Sequence, residues 1–233
     1  IEAVRRKTER VLNEKSDRFI FGKIGLSFFE RAWSLRGMQD LMMDFYTNPN
    51  FVKALFDTIL EYNMKIIEAA LSVSVEGRGI DGFYFGDDYG QQQGMLMSPD
   101  TWREFILPGL KEMFHEVKNR NKINALHSCG NVREILPELI ENGLDIYQTV
   151  QPEIYDLDLL KNDFGRDLIF WGAVSTQRDL PFMNPEDLKK IVSRTIETLG
   201  KDGGYIVAPT HKIPGDVPVD NVLAFAEAVG AFD

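Results

Sequence analysis

Residues 122–143 read KINALHSCGNVREILPELIENG, and the change of pattern within them decides the fold. An apolar run from Ile123 to Leu126 stops at His127-Ser128-Cys129-Gly130. From there apolar residues recur at helical spacing (Val132, Ile135, Leu136, Leu139, Ile140) until Gly143. A short apolar run followed by a 3.6-residue period is a strand followed by a helix, the repeating unit of α/β folds. The chain's single cysteine and one of its three histidines fall at the junction between the two.

The same unit recurs on both sides. Candidate strands are RFIFGKIG (18–25), GFYFGDD (82–88), KINALHSCG (122–130), DIYQTVQ (145–151), DLIFWGAV (167–174) and GYIVAPTH (204–211). None alternates cleanly between apolar and polar, so each is expected to be buried on both faces, as parallel strands are. Helices between them carry start signals: Asn48-Pro49, Ser98-Pro99 and Asn184-Pro185 each place a capping residue before a first-turn proline, and Gly200 closes the last of these. Pro108 is expected to break or kink its helix. The opening IEAVRRKTERVLNEK reads as a charged helix running straight into a strand. With no repeat, low-complexity tract or Pro/Gly/Ser-rich linker, residues 1–233 are expected to form one domain.

Of 233 residues, 44% are hydrophobic and 27% charged, which is enough to bury a sizeable core. The net charge of -10 argues against nucleic acid and against an anionic membrane surface as partners. A lone cysteine forms no internal disulfide, and no signal-like start or membrane-length apolar run is present, so a cytoplasmic location is expected.

Unusual polar residues follow the apolar part of one strand after another. Asp87, Asp88 and Tyr89 follow GFYF, and His127 and Cys129 follow INAL. Gln151 follows IYQTV, Ser175 to Gln177 follow IFWGAV, and His211 follows YIVAPT. In parallel α/β folds the carboxyl ends of the strands share a face, so these residues converge on one pocket. In an extended segment His127 and Cys129, two apart, point to the same side, and an imidazole with a thiolate favours zinc; His211, arriving from another strand end, is a candidate third ligand. The competing reading makes Cys129 a small buried hydrophobe and His127 a satisfied polar group. Asp87 and Asp88 are candidate acid-base or orienting carboxylates, of which at most one faces the pocket while the chain stays extended. Tyr89, Gln151 and Gln177 are candidate substrate contacts. Trp171 is carried with them, although Trp33, Phe83, Phe85 and Trp171 read first as core. His115 lies in a helical pattern and reads as a surface residue, and the glutamines at 91–93 as a polar loop.

Four blocks, GFYFGDDYGQQQGMLMSPDTWREFILPGLKEM, HSCGNVREILPELIENGLDIYQTVQP, FGRDLIFWGAVSTQRDLP and GGYIVAPTHKIPGDVPVDNVLAFAEAV, resemble in order those of the uroporphyrinogen decarboxylase superfamily. The resemblance implies a TIM (β/α)8 barrel. Only six strands are counted here, so it also implies that the first two are missing, that the chain is the carboxyl-terminal part of a longer protein, and that the strand near Arg18 is third in barrel order. Two chemistries follow. One branch comprises cobalamin-dependent methyltransferases, in which an H-x-C element and a later ligand hold zinc; His127 and Cys129 match that element. Where coenzyme M methyltransferases usually supply a cysteine as the later ligand, PTHKIPGD (209–216) offers His211. The other branch is the metal-free decarboxylase of tetrapyrrole biosynthesis, where Asp87 or Asp88 would stabilise a protonated pyrrole and a histidine also occupies the closing block. A third possibility is a non-catalytic corrinoid- or tetrapyrrole-binding module. The H-x-C element favours the methyltransferase, and with it zinc, methylcobalamin or another corrinoid on a partner protein as co-substrate, a small-molecule methyl donor or acceptor, and the homodimer common among the decarboxylases.

Overall fold

A computed structural model describes residues 1–15 and 17–231. The charged opening folds as helix α1 (Glu2–Glu14) and leads into strand β1 (Phe21–Ile24). Three helices follow, α2 (Phe29–Arg36), α3 (Met38–Thr47) and α4 (Pro49–Leu71), before strand β2 (Gly82–Gly86). The glutamine run lies in a short antiparallel hairpin, β3 (Gly90–Gln91) and β4 (Gly94–Met95), rather than in a plain loop. Helices α5 (Pro99–Phe105) and α6 (Leu107–Asn119) then precede β5 (Ile123–His127). Pro108 does break the helix, since α5 ends and α6 restarts around it. A 3-10 turn (Arg133–Ile135) opens α7 (Leu136–Glu141), and β6 (Ile146–Val150), α8 (Leu157–Phe164) and β7 (Ile169–Val174) continue the alternation. The chain closes with α9 (Asp179–Phe182), α10 (Pro185–Leu199), β8 (Tyr205–Pro209) and α11 (Val219–Ala228). Ser98 and Asn184 cap their helices as expected, accepting from the amides of Thr101 and Asp187. Asn48 makes no side-chain cap, so α4 starts on the fixed φ of Pro49 alone.

Six strands form one parallel sheet in the order β1-β2-β5-β6-β7-β8. Their alternation divides the side chains between two faces. Phe83, Phe85, Leu126, Tyr147 and Phe170 are fully buried under the outer helices, with the Phe85 ring 5.4 Å from that of Phe114 on α6. The opposite face carries a row set by the register, Gly86, His127, Gln148, Trp171 and Ile206, and beneath it Lys23 beside Tyr84.

Contacts across this inner face show that the sheet curves. In a flat sheet β1 and β7, four strand steps apart, would be separated by about 19 Å. Instead the rings of Phe21 on β1 and Trp171 on β7 stack at 6.3 Å, and Tyr84 meets Trp171 at 5.7 Å. The arrangement is that of six successive strands of a (β/α)8 barrel, with β1 and β8 at its open edges among the described residues. Among those residues no helix is long and apolar enough to cross a membrane.

Candidate metal centre

Strands β2 and β5 are neighbours with Gly86 opposite His127, so the residues just beyond their carboxyl ends meet. The Asp87 amide donates to the His127 carbonyl at 3.0 Å, which carries the pairing one residue further. Asp88 then turns its carboxylate across to β5, where Oδ1 accepts from the backbone amide of Cys129 at 2.8 Å. The same oxygen lies 3.5 Å from His127 Nε2, which lies 3.6 Å from Cys129 Sγ. One donor atom from each of the three residues falls within 4.8 Å of the others.

This donor set fits zinc. Tetrahedral geometry with the usual Zn–N, Zn–O and Zn–S bond lengths gives an N···S edge of about 3.6 Å and an N···O edge of about 3.4 Å. The observed separations match both. Electrostatics agree. Burial, with Asp88 adding to it, pushes the Cys129 thiol up to about 12, and burial lowers His127 below its ordinary range. A half-buried carboxylate beside a thiol that strains against ionisation is the setting in which a divalent cation reverses the local charge balance.

The loop beyond β5 is held firmly. Gly130 has φ +83, and a Cβ there would fall 2.1 Å from the Gly90 carbonyl carbon, so the hairpin and this loop cross at backbone contact. Gln151 Oε1 accepts from the Gly130 amide at 2.8 Å, and Tyr155 donates its hydroxyl to the Gly130 carbonyl at 2.9 Å. Asn131 donates to the Gln91 carbonyl at 2.8 Å and so ties the hairpin to the loop.

The structure separates the adjacent aspartates. Asp88 faces the centre; Asp87 is fully buried behind it and accepts from the amides of Phe29 and Glu30 and from the Tyr89 hydroxyl, at 2.8, 2.7 and 2.7 Å. Asp87 thereby caps α2. Burial pushes its carboxyl up to about 7 against the pull of these three bonds. Tyr89 is itself fully buried, and Gln151 is occupied by the Gly130 loop. Gln177 is exposed and away from the three donors' contacts, its backbone N–H donating to the Ser175 hydroxyl. Trp171 lines the barrel interior with Phe21 and Tyr84. His211 stands exposed at the mouth with its ring centre 5.7 Å from that of His127, outside the donor trio. The third member of the trio is Asp88, which follows the direct neighbour of β5, whereas His211 follows a strand three places along. His115 is exposed on α6 as expected.

Four nearby residues escaped the reading of the sequence. Gln148 and Thr149 both face Nδ1 of His127, the latter at 3.0 Å, and Tyr84 donates to Gln148 at 2.8 Å. Glu30, at the start of α2, has its carboxyl raised to about 7 by burial and then by the Asp88 charge. The available signal was parity: Tyr84 and Gln148 occupy strand positions whose side chains share a face with His127, and Gln148 is a polar residue inside an otherwise apolar strand.

A parallel barrel sheet with an N, O and S donor trio at its strand ends defines a class of proteins with a metal-competent site at the barrel mouth. Within that class, residues 2–232 match the family model described as Uroporphyrinogen decarboxylase (URO-D), and the chain belongs to that family. It is 22% identical over 204 residues to a methylated-thiol–coenzyme M methyltransferase of Methanosarcina mazei, covering 86% of this chain and 50% of that one. It is 28% identical over 176 residues to a methylcobamide:CoM methyltransferase of Methanosarcina barkeri, covering 75% of this chain and 48% of that one. A uroporphyrinogen decarboxylase of Coxiella burnetii is 24% identical over 181 residues, covering 76% and 48%. The solved structure of a methyltransferase from Methanosarcina mazei superposes on the whole chain with a TM-score of 0.75 at 24% identity, over 64% of its own length. The chain thus spans about half the length of the curated relatives it matches.

Proposed function

We propose that the protein takes part in methyl transfer to or from a corrinoid carried by a partner protein, with zinc held by Asp88, His127 and Cys129. The observation that carries this reading is that the distances from His127 Nε2 to Cys129 Sγ and to Asp88 Oδ1 match two edges of a zinc tetrahedron. Two of the relatives are named for methyl transfer to coenzyme M, one of them from a methylcobamide, which supports the same branch. When bound, zinc supplies a Lewis acid that polarises the methyl donor or acceptor. Three residues hold the ion: Cys129 gives up its thiol proton, His127 offers Nε2, and Asp88 stays pinned by the Cys129 amide. His211 stands over the centre as a contact for the small molecule. The partner is a corrinoid protein, and the other substrate a small methyl donor or acceptor.

The decarboxylase reading needs a free carboxylate in the pocket. Asp87 is committed to capping α2, which leaves Asp88 and the neighbouring Glu30 for that part. Metal analysis of the purified protein separates the two. About one zinc per chain is expected, lost in Cys129→Ser together with methyl transfer from methylcobalamin while the circular dichroism spectrum is kept, because a hydroxyl is a far poorer ligand than a thiolate. A wild-type protein without stoichiometric metal would overturn the proposal.

A further inference from the structure

Gln148 on β6 stands opposite His127 in the parallel register and is 8% exposed. Its amide joins four strands. Nε2 donates to the Thr210 carbonyl just past β8 at 3.2 Å, while Oε1 accepts the Tyr84 hydroxyl from β2 at 2.8 Å and also lies against Nδ1 of His127 on β5. Turning the amide over would set its oxygen against the Thr210 carbonyl oxygen, acceptor facing acceptor, so the surroundings admit one orientation. An amide oxygen only accepts, and the ring nitrogen facing it must therefore carry the proton. Thr149 Oγ1, at 3.0 Å from the same nitrogen, offers a second acceptor. Nε2 keeps its lone pair, and it is Nε2 that faces Cys129 Sγ and Asp88 Oδ1.

We propose that Gln148, braced by Tyr84 and Thr210 and seconded by Thr149, is a positioning residue that locks His127 in the Nδ1–H tautomer before any ion arrives. The consequence for zinc rests on the function proposed above; the tautomer does not. Neutral imidazole in water favours the proton on Nε2, so an unheld His127 would present the wrong nitrogen to the trio. Orienting partners of metal-binding histidines are worth about 10–100-fold in affinity.

The test uses metal-free protein labelled with 15N-histidine at mildly alkaline pH, with long-range 1H–15N correlation and His127 assigned by its loss in His127→Gln. The expected wild-type pattern is a protonated Nδ1 and an unprotonated Nε2. In the Gln148→Leu, Thr149→Val double variant the proton moves to Nε2, and zinc affinity, measured by competition with a chromogenic chelator, falls on the order of 10–100-fold. Wild-type protein with its proton on Nε2 overturns the proposal, and this measurement decides even where the double variant fails to fold. A folded double variant with unchanged tautomer and zinc affinity also overturns it. If wild-type protein binds no zinc but shows the Nδ1–H form, lost in the double variant, the inference stands and the metal reading falls.

Discussion

At Cys129 the proton is the main obstacle to metal binding. Its thiol is pushed up to about 12, and His127 is lowered so that its ring is already neutral near pH 7. Binding a cation therefore releases one proton, from the thiol. The sign follows: below the thiol's pKa, zinc affinity rises with pH by about tenfold per unit, and chelator competition across the neutral range measures the slope. A flat profile would mean that Cys129 is not a ligand. His211 is expected to behave differently. It is exposed and outside the donor trio, so His211→Ala should retain zinc and change stability by no more than about 0.5 kcal/mol while turnover falls. Loss of zinc from this variant would return His211 to the ligand set. The H-x-C pair was legible because two residues on an extended segment share a side. That Asp88 rather than Asp87 comes beside this pair, where His211 was the expected third ligand, was not. That depends on where the chain bends after Gly86, and both Asp87 and Asp88 follow the same apolar run.

The elements most sensitive to change are the two loops that cross beside the centre. Gly130→Ala places a Cβ into the Gly90–Gln91 backbone and forces a left-handed φ on a side-chain-bearing residue. Strain of this kind costs on the order of 1–3 kcal/mol before the clash is counted. The hairpin has to move away, which breaks the Asn131 to Gln91 bond and frees the Cys129 loop. We expect Gly130→Ala to lower stability by about 2 kcal/mol or more in denaturant titration and to speed amide exchange at Asn131; native-like exchange there would refute the crossing. Element positions were largely readable from the sequence, because apolar runs mark parallel strands and Ser98 and Asn184 mark helix starts. The hairpin at 90–95 was not. Its two strands are two residues each and owe their pairing to the packing of Gly90 on Gly130, a tertiary contact with no local pattern.

For the whole molecule, the order of six parallel strands follows from the alternation of strand and helix, but curvature does not, since it emerges only when Phe21 meets Trp171 across the inner face. Curvature is also what lets Tyr84, His127, Gln148 and the segment past β8 meet around one imidazole. The proposed ion would be gripped from the ends of two neighbouring strands, β2 and β5, and the loop of Cys129 is tied in turn to β6 through the Ser128 to Gln148 backbone bond at 2.7 Å. A cation held across these strands binds the folded chain and finds no preformed site in the unfolded one. Its binding free energy therefore adds to global stability as RT ln(1 + [Zn]/Kd), about 4 kcal/mol at a free concentration 1,000 times Kd. For a chain of this size each kcal/mol moves the midpoint by about 2–4 °C, so saturating zinc should raise Tm on the order of 10 °C. Asp88→Asn, which keeps an oxygen for the Cys129 amide, and Cys129→Ser should each remove most of that rise while leaving the metal-free Tm nearly in place, because both side chains face the mouth rather than the core. Differential scanning fluorimetry with and without chelator measures both quantities. A rise that survives in Cys129→Ser would locate the stabilising ion elsewhere on the molecule.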